Sequence, residues 1–127
     1  MKQDFRPKTI ICDIDGTLLY HHGGAFTQFI DAPKILPGVI EKFEEWSEKS
    51  YNIILITGRR ESEREMTVGQ LSKFGIFYDH LIMGVGGGQR ILINDLKPSL
   101  DMDTAIAICL ERNSGLADID INEETQT

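Results

Sequence analysis

The chain has 127 residues, 41% hydrophobic and 26% charged, a size and balance that suit one globular domain with a substantial core. Its net charge of −7 sets it against nucleic-acid backbones and anionic membrane surfaces, so neither is an expected partner. The apolar runs fall far short of the ~20 residues of a membrane span. The N-terminal MKQDFRPKT has no apolar signal region, and a cytoplasmic protein is expected.

Apolar runs alternate with helical patterns along the chain. TIIC, Thr9 to Cys12, predicts a buried strand that stops at Asp13. LPGVIEKFEEWSEKS predicts a helix with Pro37 in its first turn and Val39, Ile40, Phe43 and Trp46 on one face. YNIILIT, Tyr51 to Thr57, predicts a second buried strand. SERE, Ser62 to Glu65, has the form of a capping box opening a second helix, which Gly69 weakens and Gly75 ends. FYDHLIM, RILIN and AIAICL predict a third, fourth and fifth strand. Cys12 and Cys109 lie in two of these runs, which predicts two buried free thiols. The end of the chain, LADIDINEETQT, is acidic; its start can pack, and its last residues are expected to fray.

Continuous apolar strands separated by helices imply an α/β domain with a mainly parallel five-stranded sheet covered on both faces, a three-layer Rossmann-like arrangement. One such domain is expected over residues 1–127, with its core at about 8–112 and an acidic tail at 113–127. Ligands in such sheets bind beyond the carboxyl ends of the strands. That rule selects Asp13, Thr57 and the pair Asn94-Asp95.

CDIDGTLL places Asp13 and Asp15 two residues apart where a buried strand stops, with Gly16 able to release the chain into a tight turn. Two carboxylates aimed at one centre can divide nucleophilic attack or metal binding from proton transfer. The same residues can also form a local Asp turn bonded to its own amides. Thr57 and Gly58 can donate a hydroxyl and a backbone N–H to an anion, or simply close a turn. Asp95 can join Asp13 in holding a cation, for which oxygen ligands favour Mg²⁺, or belong to an Asn-Asp turn. The glycines of GVGGGQR are followed by a predicted strand rather than Lys-Ser/Thr and a helix. A nucleotide-binding loop is therefore not expected, and a tight connection beside the strand ends is.

Taken together, strand-Asp-x-Asp-Gly-Thr, strand-Thr-Gly and strand-Asn-Asp, in that order from Thr9 to Leu110, resemble the haloacid dehalogenase (HAD) superfamily of phosphotransferases. The resemblance implies Asp13 as the nucleophile that becomes an aspartyl-phosphate and Asp15 as the general acid and base. It implies Thr57, with Gly58, as a phosphate-binding group. It also implies Mg²⁺ held by Asp13, the Asp15 carbonyl and Asp95, with Asn94 adjacent. An acid at Asp15 favours a phosphatase over a dehalogenase, because halide leaves without a proton. The superfamily also uses a phosphate-holding lysine upstream of its last acidic motif, and this chain has none between Lys73 and Lys97. Arg90 is the first substitute and Lys97 the second; Arg59 and Arg60 are expected to be solvated or to touch substrate.

The intervals from Thr17 to Pro37 and from Gly58 to Asn94 leave no room for a cap domain. A capless member acts on a large exposed phosphate group or covers its site with another subunit, so a homo-oligomer is expected to supply the lid. Resemblance to small capless sugar-phosphate phosphatases makes a sugar phosphate, or a similar small metabolite, the expected substrate. The loop LLYHHGGAF is expected to be a mobile flap that touches substrate through Tyr20, His21 or His22. The alternative to a phosphomonoester hydrolase is a catalytically weak or inactive protein of the same fold that binds a phosphorylated ligand. A phospho-accepting receiver domain is disfavoured, because receivers carry their acidic pair at the first strand and the phosphorylated aspartate after a central one.

Overall fold

The computed structural model describes residues 5–23, 32–99 and 102–121. Three strands form one parallel sheet in the order β1 (Thr9–Asp13), β2 (Asn52–Ile56) and β3 (His80–Ile82). Helix α1 (Val39–Glu48) connects β1 to β2, and α2 (Arg64–Lys73) connects β2 to β3. The register pairs Asp13 with Ile56 and Ile56 with Ile82, so all three strands end at one level. This alternation of strand and helix is what the apolar periodicity predicts.

The core lies on one face of the sheet. Ile53 and Leu55 of β2 and Leu81 of β3 are buried with Phe43 and Trp46 of α1 and Leu71 of α2. The Phe43 and Trp46 rings pack with centroids 5.1 Å apart. Ile11 and Ile82 are half exposed. Among the described residues, the sheet face that carries Ile11 and Ile82 is only partly covered. No helix among the described residues is long and apolar enough to cross a membrane.

Two expected strands do not form. RILIN and AIAICL pair with nothing in the sheet, which has three strands among the described residues rather than five. Ile91 is 76% exposed and Ile93 89%, and Cys109 is exposed, not buried. Apolar composition shows that a segment can be buried; pairing additionally needs a sheet edge in register, which is a non-local condition. Side chains clip this part of the chain instead. Asn94 Nδ2 donates to the Thr104 carbonyl at 3.0 Å, and the Thr104 hydroxyl donates to the Asp95 carbonyl. The expected capping box also moves. A 3₁₀ turn over Glu61–Glu63 precedes α2, and the Glu63 carboxylate accepts the Arg60 N–H at 3.0 Å. Gly75, at φ 69°, ends α2 as expected, with the Ile76 N–H reaching back to the Leu71 carbonyl at 3.0 Å.

The start of the acidic tail packs. Leu116 is in the core, and its N–H donates to the Pro37 carbonyl at 2.8 Å. Two glycines permit this crossing. A Cβ on Gly38 would strike the Ala117 backbone, and one on Gly115, whose φ is 83°, would strike Pro37. Residues 122–127, expected to fray, lie outside the described residues.

Two outcomes follow from this packing. Gly115→Ala should lower stability by more than about 1 kcal/mol, measured by denaturant unfolding, because both the steric clash and the positive φ act against it. Burial, and then the neighbouring Asp13, push the Cys12 thiol up to about 12. A thiol reagent should therefore label one cysteine in the native protein, Cys109, and both after unfolding.

Candidate active site

The site is built where β1 and β2 end side by side. After β1, the Ile14 carbonyl accepts the N–H groups of Thr17, Leu18 and Leu19 at 3.2, 2.8 and 3.1 Å, and Gly16 turns with φ 87°. This tight turn separates the two aspartates. Asp13 remains at the strand end with its side chain 36% exposed, while Asp15 is carried to a side chain that follows β2.

That side chain is Arg59. Its Nε and Nη2 donate to the two Asp15 carboxylate oxygens at 2.8 and 2.6 Å. Its Nη1 donates to Thr67 Oγ1 at 3.1 Å and to Gln70 Oε1 at 2.6 Å, both on α2. The Arg59 side chain is 3% exposed. It is neither solvated nor positioned as an exposed substrate contact, which corrects the expectation from the sequence. A pattern was present in retrospect: Thr67 and Gln70 are three residues apart on one helix face, after an arginine that directly follows Thr57-Gly58.

Thr57 is buried, and its hydroxyl oxygen accepts the Arg59 N–H at 3.1 Å, leaving the hydroxyl hydrogen for donation. Three backbone bonds hold this loop to the chain after β3. The Thr57 N–H donates to the Ile82 carbonyl at 3.0 Å, the Val85 N–H to the Thr57 carbonyl at 2.9 Å and the Gly84 N–H to the Arg59 carbonyl at 2.7 Å. A Cβ on Gly58 would come within 3.2 Å of the Val85 carbonyl oxygen. The start of the glycine-rich connection is thereby laid against the Thr57 loop.

Arg90 reaches the site: its Nη1 lies 3.6 Å from Asp13 Oδ1. Lys97 pairs instead with Asp95 at 2.6 Å, which pulls the Asp95 carboxyl below its usual range. Asp95 and Asn94 are exposed and bonded within their own loop. Among the described residues no group of three or more His, Cys, Asp or Glu side chains is arranged to hold a metal ion. Of the Mg²⁺ donors implied by the sequence, Asp13 faces Arg90, Asp15 faces Arg59 and Asp95 faces Lys97.

Asp13 has a raised pKa. Burial is the largest cause; the Arg90 charge and the Ile14 N–H oppose it, and Asp15 adds to it. His21 is tied at its backbone: its N–H donates to Asn113 Oδ1 at 2.7 Å, and Asn113 Nδ2 donates to its carbonyl at 3.2 Å. The Asn113 N–H donates to the Gly16 carbonyl at 2.8 Å, so the tail also braces the aspartate turn. The His22 ring meets Tyr20 edge to face, centroids 5.0 Å apart. The rest of the expected flap, residues 24–26, lies outside the described residues.

No family model matches the chain, and no curated protein does. Solved structures do. A chain of the Pnkp1/Rnl/Hen1 RNA repair complex is 34% identical with a TM-score of 0.54, covering 65% of this chain and 28% of that one. A second structure of the Pnkp1/Rnl/Hen1 complex has 30% identity and a TM-score of 0.55, covering 72% and 33%. A protein from Vibrio cholerae is 21% identical with a TM-score of 0.48, covering 72% and 85%. The chain spans about a third or less of the RNA-repair chains that it matches. Those two likenesses are consistent with a HAD-like fold.

The raised pKa of Asp13 has a consequence for stability. The folded chain holds this proton more tightly than the unfolded chain, so ionising Asp13 lowers stability as pH rises through the acid range. Asp13→Asn should melt at or above the wild-type temperature at neutral pH, with the difference closing in acid. A variant that melts clearly below wild type at neutral pH would contradict this.

Proposed function

We propose that the chain is a phosphomonoester hydrolase that works through an aspartyl-phosphate on Asp13. One observation carries the reading. Two carboxylates two residues apart have opposite surroundings: Asp13 is partly exposed and faces Arg90, while Asp15 is gripped through both oxygens by a buried guanidinium. The exposed carboxylate beside a cation is the one placed to meet a phosphoryl group, and the second carboxylate stands two residues on, in the same turn. The likeness to chains of an RNA repair complex supports a phosphoester-processing role.

In the proposed reaction, an Asp13 carboxylate oxygen forms a bond to phosphorus as the bond to the leaving oxygen breaks. Asp15 supplies the proton to that oxygen. Water then attacks phosphorus, gives its proton to Asp15 and releases phosphate from Asp13. Arg90 and the Thr57 hydroxyl stabilise charge on the phosphoryl oxygens, the main requirement of a loose transition state.

The substrate has two sources in view. The resemblance to small capless sugar-phosphate phosphatases favours a small phosphate ester such as a sugar phosphate. The RNA-repair likeness favours a phosphorylated RNA end, against the repulsion expected from a net charge of −7. A second reading, a phospho-ligand binding protein without turnover, is favoured by the pairing of Asp95 with Lys97.

The wild-type chain should turn over p-nitrophenyl phosphate, and Asp13→Asn should abolish that turnover while remaining folded. Undiminished activity in Asp13→Asn sinks the mechanism. A panel of sugar phosphates and terminally phosphorylated oligoribonucleotides, assayed with and without Mg²⁺, separates the substrate classes. If nothing is hydrolysed but one ester raises the melting temperature, the binding reading stands. Arg90→Ala should weaken inhibition by inorganic phosphate about tenfold, the loss of one charge-assisted contact.

A further inference from the structure

The end of the chain brings one cation to the aspartate turn. A Cβ built on Gly16 would lie 3.2 Å from Arg112 Cγ and 3.9 Å from Arg112 Cδ, so the Arg112 stem crosses the turn directly after Asp15. His21 Cβ lies 3.7 Å from the same point. The backbone under both side chains is fixed. The Asn113 N–H donates to the Gly16 carbonyl at 2.8 Å, and the Asn113 side chain bonds the N–H and the carbonyl of His21 at 2.7 and 3.2 Å. Asn113 does this at φ 66°, a conformation that asparagine tolerates better than most residues.

The ends of the two side chains are donors. Arg112 is exposed, and its guanidinium makes no hydrogen bond or ion pair among the described residues. The two arginines that reach the aspartates are committed, Arg59 to Asp15 and Arg90 to Asp13. His21 Nδ1 accepts the Gly23 N–H at 3.0 Å, which assigns the proton of the neutral ring to Nε2. Covering Gly16 needs only the stem of a long side chain. A guanidinium held at this turn without a carboxylate, in a chain of net charge −7, is matched to an anion from outside the chain.

We propose that Arg112 and His21 form a second anion subsite beside the aspartate turn, for a negatively charged group of the substrate other than the phosphate that is cleaved. This rests on the hydrolase reading and narrows its substrate class to an ester that carries a second phosphate. A bisphosphorylated sugar and a phosphorylated RNA end, with its neighbouring phosphodiester, share that chemistry. Arg112 makes and breaks no covalent bond, and its contact is the same in the ground state and the transition state. Its contribution therefore falls on KM rather than on kcat.

Two substrate pairs test this: glucose 1-phosphate against glucose 1,6-bisphosphate, and uridine 3′-phosphate against a 3′-phosphorylated oligouridylate. Wild type should favour the member with the second phosphate in one pair, which also separates the sugar from the RNA source. Arg112→Gln should raise KM for that member about tenfold, the loss of one charge-assisted contact, and change its kcat by less than about twofold. KM for the partner lacking the second phosphate should change by less than about threefold. Arg112→Lys should recover part of the loss, His21→Ala should act in the same direction, and added salt should shrink the difference between wild type and Arg112→Gln. Unaltered melting temperatures check that the variants are folded. If Arg112→Gln changes KM equally for both members of each pair, or for neither, the inference is overturned while wild-type turnover leaves the hydrolase reading intact. If wild type hydrolyses no ester, the hydrolase reading falls, and the same pairs are compared by calorimetric binding. There a tenfold loss confined to the member with the second phosphate sustains the subsite, and equal affinity of wild type and Arg112→Gln overturns it.

Discussion

The pair of buried Arg59 and partly buried Asp15 is the interaction on which the site depends. Removing two opposite charges from water is expensive, and only close, well-directed bonds offset the loss. Here the guanidinium meets both carboxylate oxygens and finds acceptors on α2 for its remaining nitrogen. Losing either partner would leave a charge poorly solvated, which costs far more than the pair contributes. The aspartate turn after β1, the loop after β2, helix α2 and the chain after β3 consequently meet at one residue.

That pairing also gives the neighbouring aspartate its character. Asp13 has no such clasp; burial raises its pKa, and Arg90 moderates the rise from 3.6 Å. Ionising Asp13 is therefore unfavourable, and the fold bears that cost at the end of β1. Asp95 shows the opposite case. Lys97 neutralises it locally, and the carboxylate stays on the surface.

Features with local causes were readable from residues alone. The strand ending at Asp13 and the turn at Gly16 follow from an apolar run meeting Asp-x-Asp-Gly. Helix α1 follows from the spacing of Val39, Phe43 and Trp46, and the end of α2 from Gly75. Features that need a distant partner were misread. RILIN and AIAICL have strand composition, but no edge receives them, and Cys109 is exposed as a result. Arg59 looked like a surface residue because its partners lie 8, 11 and 44 positions away. Asn113 gave no signal at all, since its bonds to His21 and Gly16 span the length of the chain.

By itself the sequence determined which chemical groups stand at the strand ends: two aspartates around a glycine turn, a Thr-Gly pair and a nearby arginine. Their spacing along the backbone dictates that much, because strand and turn are short-range structures. The tertiary structure alone decided how the groups are paired. It gave Asp15 to Arg59 and Asp13 to Arg90, and it left Asp95 with Lys97. Charges choose partners by distance and burial in space, and a linear order of residues specifies neither.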